Sequence, residues 1–138
     1  MKLVSMILIA AVLLTGCTSA LPDEGNSMPE QMPGDFAFSV HFGFGGKNAI
    51  DSFRGIVVKD LISAGTAEAS LTFTNEEMAS IYEKMKEIDV LGPKHFAGDS
   101  RCTRVPAGED TWKIRMNGKE RTIRVPLQHC VTPKDAQQ

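Results

Sequence analysis

The dipeptide Asn117-Gly118 stands between two segments of alternating apolar and polar residues, and it is the feature that most constrains the fold. Asn-Gly favours a two-residue type I′ turn, whose twist matches that of the strands it joins. We therefore predict a hairpin formed by strands at 111–116 and 119–125. Because the turn fixes the register, three cross-strand pairs are predicted: Met116 with Lys119, Trp112 with Ile123, and Arg115 with Glu120.

Upstream of this hairpin, alternating apolar residues predict a first strand at 36–42 with one buried face. Four large side chains form its apolar stripe: Phe36, Phe38, Val40 and Phe42. Ser39 and His41 alternate with them and are predicted on the opposite, polar face. A glycine-rich turn is predicted at 43–48. The β-branched residues at 56–58 predict a second strand within 53–62. A short extended segment at 69–73 is a further candidate.

The segment Thr74-Asn75-Glu76-Glu77 has the pattern of a capping box, so a helix is expected to begin there. Its apolar face has helical spacing and consists of Met78, Ile81, Tyr82, Met85 and Ile88. Gly92-Pro93 marks its exit, and the polar segment 94–110 is predicted to be a long surface loop. These elements predict an α+β domain in which one amphipathic helix packs on a small antiparallel sheet of four to five strands.

The amino terminus has the pattern of an export signal. Lys2 precedes an apolar run at 3–14 that is too short to span a membrane and has the length of a signal-peptide core. The run ends in Leu14-Thr15-Gly16-Cys17, which resembles the lipobox of bacterial lipoprotein precursors. The resemblance implies that a signal peptidase cuts between Gly16 and Cys17. It also implies that the Cys17 thiol carries diacylglycerol and that its amine is usually acylated.

Together with the composition of the remaining chain, this resemblance predicts four segments: a signal peptide at 1–16, a lipidated flexible tether at 17–34, a single domain at 35–132, and a disordered tail at 133–138. Two or more acyl chains bind a bilayer durably, so we expect the chain at a membrane of the cell envelope. The short basic region resembles that of Gram-negative precursors. The residue directly after Cys17 is Thr18, whereas an Asp at that position would resemble an inner-membrane retention signal. We therefore expect the periplasmic face of the outer membrane.

Two cysteines remain once Cys17 is lipidated, and they flank the predicted hairpin. An exported pair such as Cys102 and Cys130 favours a disulfide. Closing a loop of this length stabilises the fold by about 3–4 kcal/mol in the chain-entropy model. A zinc or copper site is the alternative, with these candidate ligands: Cys102, His129, Cys130, His95 and His41. The adjacency of His129 and Cys130 departs from the usual ligand spacing.

Charge is distributed unevenly, with an acidic excess in 17–90 and a basic excess in 91–138. Six cations on or near the hairpin are candidate contacts for an anionic partner: Arg101, Arg104, Lys113, Arg115, Arg121 and Arg124. We predict that three of them, Lys113, Arg115 and Arg124, share the outer face of the hairpin. The same cations also fit a protective role, because charged strands resist edge pairing. The exported location and the net charge of −2 argue against nucleic acid as a partner.

The sequence has neither a G-x-S-x-G motif nor a complete phosphate-binding glycine motif, so it assigns no catalytic residue and no cofactor. We expect a non-enzymatic envelope module that binds a protein or a glycan through the hairpin and the 94–110 loop. The alternative is an envelope enzyme or metal-handling protein that uses His95, Asp99 or His129. The domain resembles small lipoprotein domains without a settled activity in its aromatic first strand, glycine-rich turn, T-x-x-E helix and cysteine-flanked hairpin. That resemblance implies only the layout.

Overall fold

The computed structural model of the chain describes residues 27–96, 108–127 and 137. This part of the chain forms a six-stranded antiparallel sheet with one helix, which is the predicted α+β class with more strands than the four to five expected. The elements in chain order are β1 (Ala37–Phe42), β2 (Asn48–Asp51), β3 (Ile56–Asp60), β4 (Thr66–Ser70), α1 (Asn75–Glu87), β5 (Glu109–Met116) and β6 (Lys119–Pro126). The strands lie side by side in the order β4-β3-β2-β1-β5-β6.

Strand β2 was not predicted; it begins at Asn48, the last residue of the predicted turn at 43–48. Its short sequence, Asn-Ala-Ile-Asp, has too few residues to show a pattern, and it becomes a strand through its neighbours. Ile50 pairs with Val40 of β1 on one side and with Val57 of β3 on the other. The extended segment expected at 69–73 is also displaced, because β4 spans Thr66–Ser70 in register with β3.

The carboxy-terminal hairpin has the predicted turn and register. Asn117 and Gly118 have φ values of 50° and 72°, which a type I′ turn requires, and Met116 pairs with Lys119. The carboxylate of Asp35 accepts hydrogen bonds from the backbone N–H groups of Asn117 (2.8 Å) and Gly118 (2.7 Å). The turn is thereby fixed to the start of β1. Strand β5 begins at Glu109, earlier than expected, because Glu109 pairs with Pro126.

The helix begins with the predicted capping box. The Thr74 hydroxyl accepts from the Glu77 N–H at 3.2 Å, and the Glu77 carboxylate accepts from the Thr74 N–H at 2.8 Å. Its buried face carries Tyr82 and Met85. The hydrophobic core lies between this face and one face of the sheet, and its buried members are Met28, Phe36, Phe38, Tyr82, Met85, Ile114 and Met116.

The apolar stripe of β1 is shorter than expected. Phe36, Phe38 and Val40 are buried as predicted, whereas Phe42 is exposed. Phe42 is the last residue of β1, and its partner across the sheet is the polar Asn48. The end of the strand therefore extends beyond the packed core.

The segment just before β1 belongs to the packed domain. Met28 is buried in the core, and the Tyr82 hydroxyl donates to the carbonyl oxygen of Pro29 at 2.6 Å. The Lys86 ammonium donates to the carbonyl oxygen of Glu30 at 3.0 Å. The segment from Met28 to Glu30 therefore packs against the helix and the core. Met28 and Met32 stand among prolines and polar residues without any periodicity, so the sequence does not indicate that Met28 is buried and Met32 exposed.

Candidate functional site

The face of the sheet opposite the helix carries polar and cationic side chains from four strands. Side chains alternate along each strand, so the register places Ser39 of β1 beside Asp51 of β2 and Lys113 of β5. We call this surface the helix-free face. Its polar and charged members on the four strands are Ser39, His41, Asp51, Glu109, Thr111, Lys113, Arg115, Glu120, Thr122 and Arg124.

A groove of about 320 Å³ lies on this face. Seven of its eight lining residues are polar or charged, although apolar atoms make up most of its accessible surface. The residues are Ser39, His41, Asp51, Phe53, Arg54, Thr111, Lys113 and Thr122. Ser39 and Asp51 are buried, whereas His41 and Lys113 are exposed. The groove therefore joins buried polar residues of the central strands to cations and hydroxyls at the surface.

Asp51 holds the turn that joins β2 to β3. Its Oδ1 atom accepts from the backbone N–H of Phe53 at 2.9 Å and from that of Arg54 at 3.1 Å. An aspartate that accepts from the N–H groups two and three residues ahead stabilises a tight turn. Asp51 is thus a structural residue that fixes Phe53 at the edge of the groove.

Two cations of β5 lie against the Phe53 ring. The Arg115 guanidinium is 4.9 Å from the ring centroid, and the Lys113 ammonium is 6.0 Å from it. Both distances fall in the range of cation–π attraction. Because Asp51 fixes the turn that carries Phe53, the ring keeps both cations beside the groove.

The cations of the helix-free face also contact oxygen atoms at the surface. Lys113 is 3.5 Å from the Glu120 carboxylate, and Arg124 is 3.5 Å from the Glu109 carboxylate. The side chains of both pairs are about half exposed or more, so these pairs contribute little to stability and exchange readily with water. An incoming anion can therefore replace either carboxylate at little cost.

The structure divides the six cations that the sequence singled out. Lys113, Arg115 and Arg124 lie together on the helix-free face. Arg121 lies on the opposite face, where it lines a separate cavity with Val90 and Ile123. The remaining predicted site residues lie outside the described residues: Gly16, Cys17, Asp99, Arg101, Cys102, Arg104, His129 and Cys130.

The residues considered for metal binding are only partly described. His41 lines the groove, and His95 is an exposed residue beyond the helix. Within 27–96, 108–127 and 137, no three His, Cys, Asp or Glu side chains are close enough together to hold a metal ion. In the same ranges, no helix is long and apolar enough to cross a bilayer.

A further cavity, of about 290 Å³, lies on the helix side of the sheet. It is mostly apolar, and its lining includes Met85, Trp112, Ile123, Val125 and Asp110. Burial raises the pKa of the Asp110 carboxyl, although the Gly43 N–H donates to it at 3.4 Å. We assign no ligand to this cavity, because Phe96 and Gln137 of its lining directly adjoin residues that the structure does not describe.

The sequence could not predict most of the groove. It predicted that Lys113, Arg115 and Arg124 share a face of the hairpin, and that His41 lies on the polar side of its strand. Ser39, Asp51 and Phe53 were missed, because the placement of β1 between β2 and β5 depends on pairings far apart in the chain. The only local signal was the position of Ser39 opposite the apolar stripe.

No protein-family model, no curated protein and no solved structure matches this chain.

Proposed function

We propose that the protein is a lipid-anchored binding module of the bacterial cell envelope. It has no catalytic activity and holds an acidic polypeptide segment of an envelope partner on its helix-free face. The observation that carries the binding proposal is the row of Lys113 and Arg115 beside a polar groove.

The anchor is supported by the amino-terminal sequence. The short apolar run followed by Leu14-Thr15-Gly16-Cys17 resembles a lipoprotein precursor, in which Cys17 becomes the acylated amino terminus. Durable attachment follows from two or more acyl chains. The short basic start and Thr18 favour the periplasmic face of an outer membrane. A disulfide between Cys102 and Cys130 belongs to the same proposal, since an exported chain reaches an oxidising compartment.

An acidic partner is supported by the charges of the helix-free face. Lys113 and Arg115 are two residues apart on β5, so their side chains are about 7 Å apart along the strand. Alternate side chains of an extended peptide have the same spacing. A partner segment with acidic residues at every second position therefore matches both cations at once.

The Phe53 ring favours a charged partner over a neutral sugar. Neutral glycans are commonly held by a free aromatic face, and the ring of Phe53 already has Arg115 at 4.9 Å from its centroid. The groove also offers the hydroxyls of Ser39, Thr111 and Thr122, which donate and accept hydrogen bonds as a peptide backbone requires.

The test measures binding of a synthetic peptide in which Glu alternates with Ser. The variant Lys113→Glu with Arg115→Glu reverses the charge of the row, and we expect it to weaken binding about tenfold or more. Lys84→Glu is the matched control, because Lys84 is also an exposed lysine in an ion pair, 2.6 Å from Glu87, but on the helix. We expect it to leave the affinity unchanged. Far-ultraviolet circular dichroism verifies that each variant is folded.

Three results would contradict the proposal: no binding of the peptide, equal weakening by the control variant, or binding of an acidic polysaccharide such as polygalacturonate in place of the peptide. The last result would identify the partner as a glycan. For the natural partner, a photo-crosslinking residue at Thr122 should capture it in cells, whereas the same residue at Glu83 on the helix should not.

A further inference from the structure

Four large apolar side chains are exposed at one end of the sheet. Their exposed fractions are 37% for Phe42, 62% for Phe44, 45% for Leu61 and 85% for Ile62. Within the described residues these are four of the five large hydrophobic side chains that are exposed, and the fifth is Met32. Large apolar side chains exposed together on a small domain commonly mark a contact with a partner or a membrane.

The four side chains come from two turns that lie next to each other. The turn between β1 and β2 and the turn between β3 and β4 are at the same end of the antiparallel sheet. Asn48 joins them, because its Oδ1 accepts from the Asp60 N–H at 3.0 Å and its Nδ2 donates to the Phe42 carbonyl at 3.4 Å. We call Phe42, Phe44, Leu61 and Ile62 the apolar tip.

The backbone of the second turn holds its apolar side chains in solvent. Ile62 has a φ of 63°, a conformation that β-branched residues rarely adopt. The Asp60 carboxylate accepts from the Ile62 N–H at 2.9 Å, and the Leu61 N–H donates to the Gly65 carbonyl at 2.8 Å. The turn is therefore ordered in a conformation that Gly or Asn would adopt more easily, with Ile62 almost wholly exposed.

The composition of the tip fits a bilayer surface. The Lys47 ammonium is 5.8 Å from the centroid of the Phe44 ring. Aromatic and lysine side chains are used together at membrane interfaces, where the ring enters the boundary region and the ammonium stays among the headgroups.

The predicted acyl group at Cys17 can reach the same bilayer as the apolar tip. This inference rests on the proposed lipid anchor at Cys17. The chain from Cys17 to Met28 spans at most about 40 Å when extended. Met28 packs in the core with Phe36, just before β1, and the six residues of β1 rise about 20 Å towards the tip. The tether is therefore long enough for lipid and tip to enter the same bilayer.

We propose that the apolar tip inserts into the interfacial region of the bilayer that holds the anchor. Lipid and tip then give the domain two contacts with the membrane. The strands stand at a steep angle to the surface, and the helix-free face is directed sideways, where a partner in the envelope can reach it.

The test uses the acylated mature protein in phosphatidylcholine vesicles whose acyl chains are brominated, since bromine quenches tryptophan in contact with lipid. Trp112→Phe removes the natural tryptophan. In that background, Phe44→Trp and Ile62→Trp report from the tip, and Lys119→Trp reports from the opposite end of the sheet as the control. We expect the tip reporters to lose about half or more of their emission, because interfacial side chains lie about 5–10 Å into the boundary. We expect the control to be unchanged.

An unquenched tip in acylated protein would overturn the proposal, and so would equal quenching of tip and control. Absence of the acyl group would instead refute the anchor. In that case, binding of the apolar tip to lipid is measured on its own. The protein used is the chain from residue 17 with Cys17→Ser, and the measurement is the fraction that sediments with vesicles of the same lipid. In that assay Ile62→Asp with Leu61→Asp should lower the bound fraction about tenfold or more, because each apolar side chain contributes strongly to transfer from water. No effect of these substitutions would overturn the tip contact.

Discussion

The Tyr82 hydroxyl ties the segment before β1 to the helix, and Tyr82→Phe removes only that group. The side chain is buried, and its oxygen donates to the Pro29 carbonyl at 2.6 Å, with the Gln31 carbonyl at 3.3 Å. The edge-on contact with the Phe36 ring, at 5.0 Å between centroids, stays in the variant. A net hydrogen bond contributes about 1 kcal/mol, and a carbonyl left without a donor adds up to about 1 kcal/mol. We therefore expect a loss of about 1–2 kcal/mol in the free energy of unfolding.

Urea denaturation measures this loss. With a slope of about 1–1.5 kcal/mol per molar for a domain of this size, the midpoint should fall by about 1 M. Tyr82→Ala is the comparison, and it should lose about 3–5 kcal/mol because the ring is also removed. Cleavage by a glutamate-specific protease after Glu30 should be faster in Tyr82→Phe than in the wild type. An unchanged midpoint together with an unchanged cleavage rate would refute the inference that this hydroxyl holds the segment.

Two further predictions concern the hairpin. The backbone N–H of Gly118, and then that of Asn117, hold the pKa of the Asp35 carboxyl below its ordinary value of 3.8. Because the pKa of Asp35 is lower in the folded state than in the unfolded state, the ionised carboxylate stabilises the fold at pH values above the ordinary pKa. This stabilisation is lost as the pH falls through the pKa of the folded state. Thermal unfolding of Asp35→Asn should therefore occur at a lower temperature than that of the wild type at neutral pH, with the difference shrinking in acid; a difference independent of pH would contradict this. For Cys102 and Cys130, unreduced exported protein should not react with a thiol-blocking reagent, and full labelling of both would remove the proposed disulfide.

The elements that the sequence predicted well are those specified by neighbouring residues. Asn117-Gly118 determines a turn within two residues, so the pairing of Trp112 with Ile123 followed directly and was confirmed. The capping box of Thr74 and Glu77 is equally local, and it was confirmed at the start of the helix. In both cases the hydrogen-bonded partners are separated by only a few residues of chain.

The elements that the sequence did not predict depend on distant pairing. Strand β2 has no pattern of its own and exists because β1 and β3 lie on either side of it. Met28 reaches the core across a segment that is otherwise polar. The apolar tip was missed for a related reason, since the exposure of Phe42 follows from where the helix and its core end, which no pattern within β1 records.

The candidate site was predictable only where it depends on neighbouring residues in one strand. The shared face of Lys113 and Arg115 follows from alternation within one strand. Their contact with Phe53 depends on the Asp51 turn, which the register of β1 with β2 and β5 brings beside them. The order of the strands determines which residues meet across a sheet. The alternation of residues along a single strand does not predict that order.

The most direct test of the proposed envelope role is the intact mass of the mature chain, purified from the membranes of a bacterium that processes lipoproteins. Cys17 should be the first residue and should carry diacylglycerol on sulfur, with a further acyl chain on its amine. A mature chain that begins at another residue, or one that begins at Cys17 without fatty acid, would contradict the anchor.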